Sequence, residues 1–145
     1  MLFRSLRLGS TELRLVHSGS RKVSFTVVGG HKMKVLITGG RDYSDFDAFE
    51  KAMEMLPFKI ELIIHGGARG ADSIADMWAK KHGVFVMRMD ALWNAHGKGA
   101  GPKRNWAMLK FGKPDYCVAF PGGNGTADMV RQCEKASVVV WKPYG

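Results

Sequence analysis

Cysteine is scarce in this chain: two residues, Cys117 and Cys133, among 145. Two thiols make neither a disulfide scaffold nor a zinc site, and they fit a reducing compartment, expected here to be the cytoplasm. Both are expected simply to pack, Cys117 in an apolar strand and Cys133 on a helix face. Long apolar runs are also missing. Nothing approaches the ~18 residues that span a bilayer, so no membrane partner is expected. There is no apolar core of the length a secretory signal needs. His65 and His96 lack metal-ligand spacing to cysteines or carboxylates, so neither a metal nor another cofactor is expected. No Ser-His-Asp or Cys-His arrangement can be read from residue order. The dinucleotide pattern G-x-G-x-x-G and the phosphate-loop pattern G-x-x-x-x-G-K-[ST] are both absent, which disfavours NAD dehydrogenases and P-loop NTPases.

What remains is an ordinary globular composition, 46% hydrophobic and 24% charged. A chain of this length fits about one domain and can bury roughly two-thirds of its unfolded surface. The net charge is +9, from 22 basic and 13 acidic residues, and it is unevenly spread. Residues 1–32 hold six basic residues and one acid, leaving 16 basic and 12 acidic residues from Met33 onward. The main body is therefore mildly basic, which suits an anionic small ligand as well as nucleic acid.

Residues 1–32 differ in texture from the rest, being rich in Ser, Gly and basic residues. Residues 11–17 and 22–28 alternate weakly, as hairpin strands do. The run Gly29-Gly30-His31-Lys32-Met33 can be encoded by GGA GGU CAU AAA AUG, a bacterial ribosome-binding site, spacer and start codon. Met33 is accordingly expected to be the biological start and residues 1–32 a translated leader. The alternatives are a genuine basic extension and a targeting segment. Residues 33–145 are expected to form the functional domain.

From Met33 onward the pattern is strand, glycine loop, helix, repeated. Residues 34–38 (KVLIT), 60–65 (IELIIH), 84–88, 116–120 (YCVAF) and 137–141 read as five strands. Residues 45–56, 72–82, 102–110 and 127–136 read as helices, and residues 89–101 as a long polar loop. Alternation of this kind predicts an α/β fold: a Rossmann-like, mostly parallel five-strand sheet with helices on both faces. Ligands of such sheets bind beyond the carboxyl ends of the strands, where every glycine cluster of this chain falls.

Each of these loops has two readings. Gly122, Gly123, Gly125 and Thr126 can form an anion cradle, with phosphate on the free N–H groups of the next helix. They can equally make a tight turn, with Thr126 as a plain N-cap. Gly66, Gly67 and Gly70 repeat the pattern and add Arg69, which can fork onto phosphate or stand as a solvated cation. Asp72 reads as an N-cap or as an acceptor for a ribose hydroxyl. Gly39, Gly40, Arg41 and Asp42 supply a third turn and a cation–carboxylate pair. Trp93 can stack on a base or serve as a core or lid residue. Lys98 and Lys103 fit surface charges. Arg104 reads as a cation in the first turn of a helix, an unfavourable place that a bound anion would explain. Two glycine-rich helix starts on one sheet edge favour a nucleotide-like ligand.

The stretches GGRDYSD (39–45), HGGARGADSIADMWA (65–79), GKGAGPKRNWAML (97–109) and FPGGNGTADM (120–129) resemble the YspA branch of the SLOG superfamily. That superfamily also holds the "lonely guy" phosphoribohydrolases and the DNA-processing protein A family. The resemblance implies a Rossmann-like domain that binds nucleotides or NAD/ADP-ribose-derived signals, in a homo-oligomer. It also implies a sensor or sequestering role in bacterial or phage conflict. Asn105 and Arg104 are carried over with the third motif as ligand contacts. In the phosphoribohydrolases the last loop reads P-G-G-x-G-T-x-x-E, and its glutamate helps cleave the N-glycosidic bond beside an arginine. Here Pro121 to Thr126 match, Met129 stands at the glutamate position, and Asp128 lies one residue earlier, about 100° around a helix. If the chain is an enzyme, it is expected to cleave nucleotide N-glycosidic bonds with Asp128, Arg104 and Asp72. Binding without robust turnover is the leading expectation. Single-stranded nucleic-acid binding, from the likeness to the DNA-processing family, is a further alternative.

Overall fold

The structure is a computed structural model that describes residues 2–8, 11–17, 23–28 and 32–145. The chain opens with β1 (Leu2–Leu8), β2 (Thr11–His17) and β3 (Val23–Val28), which pair antiparallel in that order as a sheet of their own. The expected hairpin is thus the β2–β3 pair, and β1 adds a third strand to it.

β4 (Met33–Thr38) starts the second sheet. Its nearly unbroken apolar run works because both faces are covered. Met33, Val35 and Ile37 belong to one core cluster, and Leu36 to another on the opposite face. α1 (Phe46–Glu54) follows, begun by Asp45, whose carboxylate accepts from the Ala48 N–H at 3.0 Å. Then come β5 (Ile60–His65), α2 (Ala71–Lys81) and β6 (Phe85–Arg88). α1 and α2 cover the first face with Phe49, Ala52, Met53, Ile74, Ala75 and Trp78. Burying Phe49 or Trp78 contributes about 1.5–3 kcal/mol each.

Residues 89–101 are not the uniform loop the polar composition suggested. α3 (Trp93–His96) and a 3-10 turn (Gly97–Gly99) lead directly into α4 (Ala100–Gly112), which therefore starts two residues before Pro102. Lys113 ends α4 in a left-handed conformation, φ 47°. β7 (Tyr116–Ala119), α5 (Asn124–Lys135) and β8 (Val139–Trp141) complete the fold. Met108, Met129 and Cys133 of α4 and α5 pack on the second face, against Leu36, Ile64 and Cys117. Both cysteines are buried and unbridged. A hydrogen bond with Cys133 and burial push the Cys117 thiol well up, so it packs as an inert small apolar residue.

The five strands are parallel in the order β6-β5-β4-β7-β8. This is the Rossmann-like α/β arrangement, with helices on both faces. Between β4 and β7 the winding reverses direction, so the loops that leave these two strands diverge and open a crevice.

Candidate functional site

The loops after β4 and β7 meet across that crevice. The Gly40 N–H donates to the Pro121 carbonyl at 2.8 Å, and the Ala71 N–H donates to the Gly40 carbonyl at 3.1 Å. A cleft of about 980 Å³ lies over them, lined among others by Gly39, Gly40, Arg41, Asp42, Asp72, Arg104, Asn105 and the 121–126 turn. A side cleft of about 400 Å³ shares Arg41, Ala68, Trp93 and Arg104 with it, and holds Gly66, Gly67 and Arg69. Gly70 lines neither.

The glycines divide into two kinds. A Cβ on Gly39 would overlap Ala71 Cβ, and one on Gly40 would press on the Pro121 carbonyl and Gly122. On Gly122 it would overlap Thr126 Oγ1, and on Gly66 the Arg104 guanidinium. Gly67 (φ 70°) and Gly70 (φ 80°) need positive φ, and a Cβ on either would run into its neighbours. At Gly39, Gly40, Gly70 and Gly122 the obstacle is backbone or a neighbouring β-carbon, at Gly67 the positive φ, and at Gly66 only the end of the Arg104 side chain. Gly123 and Gly125 are different. A Cβ there meets nothing within 4 Å, and both line the large cleft.

α5 starts at Asn124, three residues earlier than glycine content suggested, and its N-cap is Gly123. Thr126 is therefore inside the first turn and is not the cap. No side chain caps this helix end, and its first turn carries no acid. Its free N–H groups and positive dipole end sit at the cleft.

Asp72 is not an N-cap either. Gly70 takes that position in α2, and Asp72 reaches back to accept from the Gly66 and Ala68 N–H groups at 3.1 and 3.2 Å. Burial raises its pKa, opposed by those N–H groups, His65 and Arg104. His65 is buried beneath the same loop. Its Nδ1 accepts from the Gly67 N–H at 3.0 Å, which leaves Nε2 to donate to Asp76 at 2.9 Å. Contacts with Lys80 and then His65 lower the Asp76 pKa. The 66–70 loop is thus pinned from below by two side chains.

Arg104 lies in the second turn of α4, because the helix begins at Ala100, so the first-turn dipole argument does not apply. Its Nη1 donates to the Gly66 carbonyl at 2.6 Å, and its Nε donates to Asn105 Oδ1 at 3.0 Å. None of the ion pairs among the described residues includes it. Burial pulls the pKa of this guanidinium below the usual arginine value, with Asp72 opposing. Asn105 Nδ2 donates to Asp128 Oδ2 at 3.0 Å and to the Gly125 carbonyl at 3.3 Å. Gln132 Nε2 donates to the same Asp128 oxygen at 2.8 Å. Met129, at the position of the phosphoribohydrolase glutamate, points away from all this and is 1% exposed in the core. Asp128 is the carboxylate of this turn that lines the cleft.

Arg41 lies over the half-exposed Trp93 ring, 5.5 Å from its centre, at the junction of the two clefts. Lys98 lines the large cleft, and Lys103 stands outside it beside His96. Arg69 pairs with Asp42 at 3.2 Å, both highly exposed, a contact of little energetic weight. His65, Asp76 and Gln132 were not legible as site residues from sequence. The buried histidine at the end of an apolar strand was the one available signal. Among the described residues no group of three or more metal-ligating side chains occurs, and no helix is long and apolar enough to cross a membrane.

The family described as "YspA, cpYpsA-related SLOG family" matches residues 33–96. The Gene 61 protein of Mycobacterium phage D29 is 41% identical over 120 residues, spanning 74% of this chain and 93% of the phage protein. No solved structure matches.

Proposed function

The chain belongs to the YspA, cpYpsA-related SLOG family, and from that premise we propose that it binds a nucleotide or NAD/ADP-ribose-derived molecule in the crevice between β4 and β7. The observation that carries this reading is the conjunction at one spot of three features. They are an uncapped α5 start, two glycines with open space above them, and an arginine with no ion-pair partner among the described residues. Asp72 and Asp90 offset the burial of this guanidinium only from beyond contact distance, and an anionic ligand supplies the direct partner it lacks among the described residues. The phosphate sits on the N–H groups of residues 124–126 with Arg104 beside it. The base extends toward Trp93 and Arg41.

The role is binding, as a sensor or sequestering module, rather than turnover. Titration calorimetry with ADP-ribose and the four ribonucleoside 5′-monophosphates tests this. Wild type gives a saturable heat with at least one compound, and Arg104→Ala loses it. Absence of binding by the whole set ends the reading.

Hydrolysis of a nucleotide N-glycosidic bond is the second reading, and Asp128 favours it. A carboxylate in the cleft beside Arg104 can stabilise a cationic ribose or orient water. Release of free base that disappears in Asp128→Asn would establish it.

A further inference from the structure

Asn105 carries a task that a ligand contact could not fulfil. Its side chain is 3% exposed within a half-buried network, and both of its polar atoms are engaged. Oδ1 receives Arg104 Nε, while Nδ2 serves both the Gly125 carbonyl and Asp128 Oδ2. An amide nitrogen has two hydrogens, so this one has none left to offer. Gln132 is similarly committed, spanning Asp128 Oδ2 at 2.8 Å and the Pro102 carbonyl at 3.1 Å.

The consequence falls on Asp128. Two amides hold one carboxylate oxygen, and the other, Oδ1, has among the described residues only the exposed Arg131 at 3.8 Å. An acid held beside an anion cradle repels phosphate, so its partner on the ligand must be a donor. Resting on the nucleotide reading, the geometry points to Asn105 and Gln132 as positioning residues that present Asp128 Oδ1 to a hydroxyl of the ligand. Asn105 also sets the spacing between that acceptor and Arg104. The cleft then selects a phosphate that carries sugar hydroxyls over a phosphate alone. A rigid acceptor discriminates better than a mobile one, because a ligand that covers it without offering a hydroxyl leaves it desolvated and unpaired.

The test compares ribose 5-phosphate with tetrahydrofurfuryl phosphate, which keeps ring and phosphate but lacks the ring hydroxyls. NMR titration of wild type is expected to show binding at least about tenfold tighter for the first. Gln132→Ala, at a half-buried site, retains the fold and narrows the difference. Asn105→Ala removes the difference and also loses the slowly exchanging Arg104 Nε–H signal of the free protein, whereas Asn105→Asp restores that signal without restoring the selectivity. Equal affinity of wild type for both compounds leaves the phosphate cradle standing and overturns the hydroxyl role. Binding of neither compound overturns the hydroxyl role together with the nucleotide reading. An unchanged Arg104 signal in Asn105→Ala overturns the positioning role whatever binds.

Discussion

Gly125→Leu should leave the protein at least as stable and unable to bind. Gly125 is the second residue of α5, it has ordinary helical space around it, and a Cβ there meets nothing within 4 Å. Replacing glycine by leucine in a helix gains up to about 0.8 kcal/mol of intrinsic propensity. For a chain of this size that raises Tm by about 2–3 °C. The same side chain fills the space that a phosphate must enter to reach the Gly125 N–H. A hydrogen bond to a charged partner is worth about 1.5–3 kcal/mol, so losing one weakens binding by about 10- to 150-fold. Gly99→Leu is the control. Gly99 precedes α4 at φ −79°, has nothing within 4 Å of its Cβ position and does not line the large cleft. It should keep both stability and affinity. Calorimetric titration and thermal melts of the two variants separate the effects. Undiminished affinity in Gly125→Leu would refute the cradle, and a matching loss in Gly99→Leu would refute its location.

Gly70→Ala is expected to cost about 1–3 kcal/mol in urea unfolding, because φ 80° and the Gly40 carbonyl both oppose a Cβ; a stability equal to wild type would contradict the packing role of this glycine. Met129→Glu places an unpaired carboxylate among Leu36, Ile64 and Cys117, so loss of about 3 kcal/mol or more is expected in place of gained hydrolysis. The lowered Asp76 pKa adds stability that is present above its unfolded value, about 3.9, and lost as pH falls through the folded one. Asp76→Asn should therefore flatten the acid limb of the pH–stability curve below about pH 4, and an unaltered limb would show that the contacts with Lys80 and His65 do not matter. Removal of residues 1–32 should leave Tm and ligand affinity unchanged, since the five-strand sheet and its loops lie beyond them; a large fall in Tm would make them part of the domain.

The fold was largely legible because buried parallel strands announce themselves as apolar runs. Ile60–His65 was read with both ends right. Helix starts were read late wherever glycine led the helix. Gly101, Asn124, Gly125 and Thr126 are poor helix formers by propensity, and the packing of Met108, Met129 and Cys133 against the sheet outweighs that cost. The site was legible as a set of loops and no further. Nothing in the sequence separates Gly40, pressed against Pro121, from Gly123, open to the cleft, because the difference lies in how two distant loops approach each other. Gln132, and the hold of Asn105 on Asp128 in place of the direct ligand contact expected of it, were opaque for the same reason. Each is an ordinary polar helix residue until α4 and α5 pack side by side and bring both amides onto Asp128.

An anionic ligand bound at the start of α5 must perturb the amides it touches. Amide chemical-shift mapping during titration with ADP-ribose tests it most directly. The largest shifts are expected on Gly123, Asn124, Gly125 and Thr126, with the Arg104 Nε–H moving in step at the same ligand concentrations. Largest shifts on the outer face of α4 or on residues 66–70, or no shifts at millimolar ligand, would contradict it.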